Sequence, residues 1–148
     1  MVLYLSIVII IIALTRFLAY WGVYFLKNES ITLINKVLNL TYVENTGAAF
    51  GIFKNGTFML SVLGVLIFLV ITFFIASKKV TKKSLVFPLA LLAGGGISNV
   101  ADRISFGFVV DYIDFTLINY PVFNLADICV VVGCLWLLFA VLFEKQEN

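Results

Sequence analysis

The chain contains no histidine. That absence removes serine-histidine and cysteine-histidine nucleophile pairs, histidine-ligated zinc and an imidazole general base from the available chemistry. Charge is scarce as well: Asp, Glu, Lys and Arg make up 12% of the 148 residues, against about 25% in an ordinary soluble domain. A formal net charge of +2 gives a nucleic-acid partner no electrostatic support. The only two cysteines, Cys129 and Cys134, lie five residues apart in an apolar run. That spacing fits neither a C-x-x-C pair nor a disulfide framework, and both read as small apolar residues.

Apolar residues, in contrast, make up 63% of the chain. Four runs are long enough to cross a bilayer, at approximately residues 2–26, 57–77, 84–103 and 124–143. The first lacks the basic start and small-residue cleavage site of a removable signal, and reads as a retained helix. Lys78, Lys79, Lys82 and Lys83 crowd the short loop between the second and third runs. The positive-inside rule places that loop in the cytoplasm, which puts both termini there and segments 27–56 and 104–123 outside. Within the first outer segment, Leu38-Asn39-Leu40-Thr41-Tyr42-Val43 alternates apolar and polar residues and predicts short strands. The expected architecture is a single mainly α membrane domain, with four transmembrane helices and a small extracytoplasmic β element after the first.

In so apolar a chain the costly residues carry the information. All four aspartates, Asp102, Asp111, Asp114 and Asp127, fall within one short stretch at or near the outer face. Ionisable groups at that depth are functional-site candidates by default. Asp127 is the sharpest. The charge-free stretch after it, 128–143, spans only ~24 Å of a hydrocarbon layer ~30 Å thick, so the helix draws Asp127 inward. Asn124 and Asn99 each stand three residues before an aspartate, Asp127 and Asp102, on a shared helical face. Plainer readings stand beside these: Asp102 and Arg103 as a helix-end charge pair, Asp114 as a solvated loop carboxylate, Arg16 as a snorkelling side chain. Gly94-Gly95-Gly96 and the small residues around Asn45 permit close approach by a neighbouring backbone or an extended ligand.

Two carboxylates in a low-dielectric site tend to share one proton, the arrangement of an aspartic protease. The same residues leave three other classes open: an oxygen-ligated Mg²⁺ or Ca²⁺ centre, a proton or ion pathway, and an assembly subunit with a polar cap.

Four ordered motifs carry a resemblance that decides among these. They are Asn45-Thr46-Gly47-Ala48-Ala49-Phe50; Gly95 with Asn99-Val100-Ala101-Asp102-Arg103; Gly107 through Asp111-Tyr112-Ile113-Asp114-Phe115; and Phe123-Asn124-Leu125-Ala126-Asp127. Over the whole chain the sequence resembles the lipoprotein signal peptidases, the type II signal peptidases of bacteria. The resemblance implies an intramembrane aspartic endopeptidase, without cofactor or metal, whose catalytic pair is Asp111 and Asp127. Asn45, Gly95, Asn99, Asp102, Arg103 and Asn124 would line or support the site, with Asp102 and Arg103 orienting and neutralising one another while anchoring the loop that delivers Asp111. The implied substrate is a diacylglyceryl-modified prolipoprotein, cut before its lipidated cysteine, and the implied inhibitor is of the globomycin type. The implied setting is the cytoplasmic membrane, in contact with lipid, as a monomer with the site near the outer face. One departure stands out: where the family often has an acid four residues before a lysine in the first span, this chain has Ile12 and Arg16.

Overall fold

The computed structural model describes residues 1–48, 52–118 and 120–143. Its four long helices are α1 (Val2–Phe25), α2 (Thr57–Ala76), α3 (Val86–Phe106) and α4 (Leu125–Phe143). Each is long and apolar enough to cross a membrane, so the chain is a multi-pass membrane protein, as its composition predicts. The observed limits differ from the expected ones mainly at α3. A short 3-10 turn, Lys83–Leu85, precedes it, and the helix continues past Arg103 to a left-handed cap at Gly107 (φ 85°).

Helix α3 packs against all three of the others. Its three consecutive glycines explain how, because successive helical residues are turned about 100° from one another. A Cβ at Gly94 would lie 2.9 Å from Ile11 of α1, and one at Gly95 would run into the Ala126 carbonyl oxygen of α4. A Cβ at Gly64 of α2 would meet Val100 of α3 at 2.5 Å, and one at Gly133 of α4 the Pro88 carbonyl oxygen at 2.8 Å. Small residues thus bring the backbones together where no hydrophobic force between lipid-bathed helices would do so. One core at this bundle joins Tyr4, Val8, Ile71, Ile75, Ala90 and Ala93. Elsewhere the helices present large apolar side chains outward, Leu69 and Phe73 on α2 and Leu135 and Phe139 on α4 among them, as lipid contact requires.

The sheet has three antiparallel strands in the order β1 (Ile31–Ile34), β2 (Leu38–Asn45) and β3 (Val109–Phe115). The first two are the expected β element. The third comes from the other outer segment, for which the sequence pattern predicts no strand. Its first four residues are all buried, so it lacks the polar-apolar alternation that reveals a half-exposed strand. Pairing runs from Leu38↔Phe115 to Asn45↔Val109, with a register irregularity between Leu40 and Val43. Val110 and Tyr112 pack with Ala19 of α1 and with Leu26, just past its end, in a second core, which fixes the sheet over the end of the bundle.

Candidate active site

Strand geometry decides which aspartate faces what. Alternate side chains on β3 point to opposite faces, so Val110 and Tyr112 enter the core under the sheet and Asp111 turns the other way. It is 1% exposed and sits at the wall of a groove of about 630 Å³. Asn124 donates through Nδ2 to Asp111 Oδ1 at 2.7 Å, and Asn45 donates through Nδ2 to Asp111 Oδ2 at 2.8 Å.

Asp127 reaches the same groove from the first turn of α4. Its backbone N–H donates to Asn124 Oδ1 (3.0 Å), while the Asn124 backbone N–H donates to Asp127 Oδ2 (3.2 Å). This reciprocal pair has the form of a helix-capping box, so one local motif both starts the helix and orients the carboxylate. Asn99 of α3 donates through Nδ2 to Asp127 Oδ1 at 2.8 Å. Asn124 therefore bridges the two carboxylates, holding Asp111 by its amide and Asp127 by its backbone.

Burial raises the Asp111 carboxyl from its ordinary 3.8 to about 7. The negative charge of Asp127 adds to that rise, while the two asparagine amides and Arg103 oppose it. Arg103, also on the groove wall, donates through Nη2 to the Gly47 carbonyl at 2.7 Å and through Nη1 to the Asn99 carbonyl at 3.3 Å. Gly47 in turn donates its N–H to Asn45 Oδ1 at 2.9 Å. The loop after β2, the end of α3 and the start of β3 are thereby tied around one polar centre. Of the motif after β2, Ala49 and Phe50 lie outside the described residues.

One expectation needs correction. Asp102 and Arg103 do not pair with one another. As helical neighbours they point in different directions: Arg103 turns to the groove, and Asp102 turns to Arg16 of α1, with which it forms an ion pair. Gly95 supports the site but does not line it. Close approach at Gly95 belongs to the α4 backbone, and Gly96, one step round the helix, faces the groove together with Gly64 and Ala48. Asp114 lies off the groove, where it accepts from Asn39 Nδ2 at 3.4 Å. The two cysteines separate as their spacing requires, Cys129 buried and Cys134 exposed, both free.

Tyr112 was not singled out from the sequence. Its hydroxyl accepts the Leu125 N–H at 3.1 Å and so pins the start of α4 to β3. Burial pushes that hydroxyl up to about 12, so it stays neutral. The missing signal was the strand itself, since only a buried β3 brings Tyr112 beneath the helix.

The Gly95 contact yields a prediction. Gly95→Ala places a methyl group against a backbone oxygen that cannot rotate away, which forces α3 and α4 apart. Overpacking of this kind costs about 1 to 3 kcal/mol. A lowered melting temperature in detergent, together with reduced activity because Asp127 rides on α4, is the expected result; unchanged melting would show that the helices separate freely.

Four apolar helices carrying a buried two-carboxylate groove at one end define a polytopic membrane enzyme. Two solved structures described as a bacterial membrane enzyme share this fold. One superposes with a TM-score of 0.87 at 23% identity, covering 100% of this chain and 94% of its own. The other gives 0.85 at 24%, covering 98% and 96%. The profile of the signal peptidase (SPase) II family matches residues 7–143. A lipoprotein signal peptidase of Clostridioides difficile is 38% identical over 150 residues, 99% of each chain. One of Brevibacillus brevis is 39% identical over 148 residues, 98% of each. The chain belongs to the signal peptidase II family and is a peptidase.

Proposed function

We propose that this protein is an aspartic endopeptidase that removes signal peptides from diacylglyceryl-modified prolipoproteins, cutting just before the lipidated cysteine. The observation that carries the reading is the bridging of Asp111 and Asp127 by Asn124 at one groove wall. Among the described residues no three carboxylate or thiol groups converge as a metal centre would require, so the two aspartates are the best-supplied chemistry.

The pair works with one proton between its two carboxyls. The ionised carboxylate takes a proton from a water as that water attacks the scissile carbonyl, and the protonated partner donates to the carbonyl oxygen. Collapse of the tetrahedral intermediate breaks the C–N bond: one hydroxyl returns its proton to the ionised carboxylate as the carbonyl re-forms, the departing nitrogen takes the proton of the other carboxyl, and the pair again holds one proton. Arg103 faces both carboxylates and steadies negative charge as it develops; Asn45, Asn99 and Asn124 hold the two in place. Asp102 and Gly95 support this frame from behind. The groove is open between α2 and α4, where Leu63, Ile67 and Val131 line it, so acyl chains remain in lipid while the peptide reaches the aspartates. A globomycin-type inhibitor would occupy the same groove.

The lysine-rich loop between α2 and α3 favours a cytoplasmic location for that loop and for both termini. The groove then opens near the outer face of the cytoplasmic membrane, where a translocated prolipoprotein arrives. We take the working unit to be a monomer, since one chain supplies both carboxylates.

Incubation of the purified protein in detergent with a diacylglyceryl-modified prolipoprotein tests the reading. A product beginning at the lipidated cysteine is expected. No such product from a folded enzyme would overturn the assignment. EDTA should leave the rate unchanged; inhibition relieved by Mg²⁺ or Ca²⁺ would instead favour a metal centre.

A further inference from the structure

Arg16 is the one charged residue within α1, and nothing in the reaction uses it. A lone guanidinium in mid-span is costly unless it is paired. Its partner is Asp102 of α3, through Nη1 to Oδ1. One helical turn along from each, Tyr20 and Phe106 complete a box around the pair. The guanidinium carbon lies 4.9 Å from each ring centroid, and the rings meet edge to face at 5.3 Å.

The second oxygen of Asp102 faces a different element. Oδ2 accepts the Val110 N–H at 3.0 Å, a buried bond. Val110 is 0% exposed and directly precedes Asp111. Between α3 and β3 the chain has just turned through Gly107, so this bond sets the depth at which β3 begins. Neither Arg16 nor Asp102 lines the groove. The charged groups around Asp102 are Arg16 from α1 and Arg103 from α3; Asp111 faces Arg103 from α3 and Asp127 from α4.

We propose that Arg16 and Asp102 form a positioning clamp: Arg16 fixes the Asp102 carboxylate, and Asp102, through the Val110 N–H, fixes where Asp111 stands relative to Asp127. The clamp rests on the assignment of Asp111 to the reacting pair. It acts without touching substrate, so it governs turnover and not binding. It also explains how this chain dispenses with an acid at Ile12: the basic residue of α1 finds its carboxylate on α3. The flat guanidinium suits a site with aromatic rings and a carboxylate better than the compact ammonium of lysine.

The test is kcat and KM for Arg16→Met, Arg16→Lys, Asp102→Asn and the double variant Arg16→Met/Asp102→Asn, with melting temperature read in parallel. Misplacement of a reacting group by about 1 Å costs about 100-fold in rate, so Arg16→Met should lose about that in kcat with KM little changed. Arg16→Lys should recover most of the loss, and the double variant should be no worse than the poorer single one, because the two residues act as a unit. Wild-type kcat in Arg16→Met, a loss carried by KM, or strictly additive losses would each overturn the clamp. Should the Met variant not accumulate, Asp102→Asn decides: a reduced kcat at unchanged KM and melting temperature supports the clamp, and wild-type kcat overturns it. Asp111→Asn is run beside them. If that variant cleaves normally the failure belongs to the assignment of Asp111, and if it is inactive while Arg16→Met is not, the failure belongs to the clamp.

Discussion

Asp127→Asn and Asp111→Asn are each expected to give a folded, membrane-inserted protein that no longer cleaves prolipoprotein. Asparagine keeps the shape of aspartate and loses its charge and its exchangeable proton. At position 127 the amide oxygen still accepts the Asn124 N–H, so the start of α4 survives. What disappears is the one-proton pair, since an amide can neither take a proton from water nor pass one to a carbonyl oxygen. General acid-base catalysis by a single side chain contributes about 10²- to 10⁴-fold, and here both roles are lost together, so a fall of at least about 10³-fold in kcat is expected. Turnover of either variant within about tenfold of wild type would remove the dyad from the mechanism. Asp114→Asn is the comparison: Asp114 lies off the groove and the change should leave kcat nearly unaltered.

The sequence carries the membrane architecture in its run lengths. It also singles out Asp127, because the 16 uncharged residues after it are too few to fill a bilayer alone. Asp111 is less legible. Composition could not separate it from Asp102 or Asp114, and the motif resemblance alone singled it out. The structure supplies the physical reason: on β3 successive side chains alternate, so Asp111 meets the groove while Val110 meets α1. That strand went unread because a strand buried on both faces has no alternation to detect. The adjacent Asp102 and Arg103 invited pairing by proximity in sequence, whereas a helix turns neighbours apart and sends Asp102 to a residue 86 positions away. The glycine run was legible as a close contact, but which glycine meets which neighbour depends on helix rotation, and only the packed bundle fixes that.

Activity and stability should both fall as pH rises through the range set by the Asp111 carboxyl, which is raised from an ordinary 3.8 to about 7. With its carboxyl raised to about 7, Asp111 is the member of the pair expected to supply the proton the reaction needs. Rising pH removes that proton, so kcat/KM should fall along an alkaline limb near pH 7, with apparent values that belong to the pair. Stability follows from the same shift. The unfolded chain gives up this proton near its ordinary value, and the folded chain keeps it to about 7. Between those limits the folded state binds the extra proton, so stability declines as pH rises through the window and the full penalty is present above it. Raising the carboxyl from 3.8 to about 7 corresponds to a penalty of at most about 4 kcal/mol, the asparagine bonds to the ionised form already included. Asp111→Asn has no such proton to lose. It should therefore melt above wild type at pH 8, and the advantage should shrink as pH falls toward about 4, while the variant stays inactive throughout. A more stable but dead variant is the signature of a carboxyl kept buried for chemistry and not for folding. If its melting temperature at pH 8 does not exceed that of wild type, or if the alkaline limb lies beyond pH 9, Asp111 is not the group that carries the shared proton.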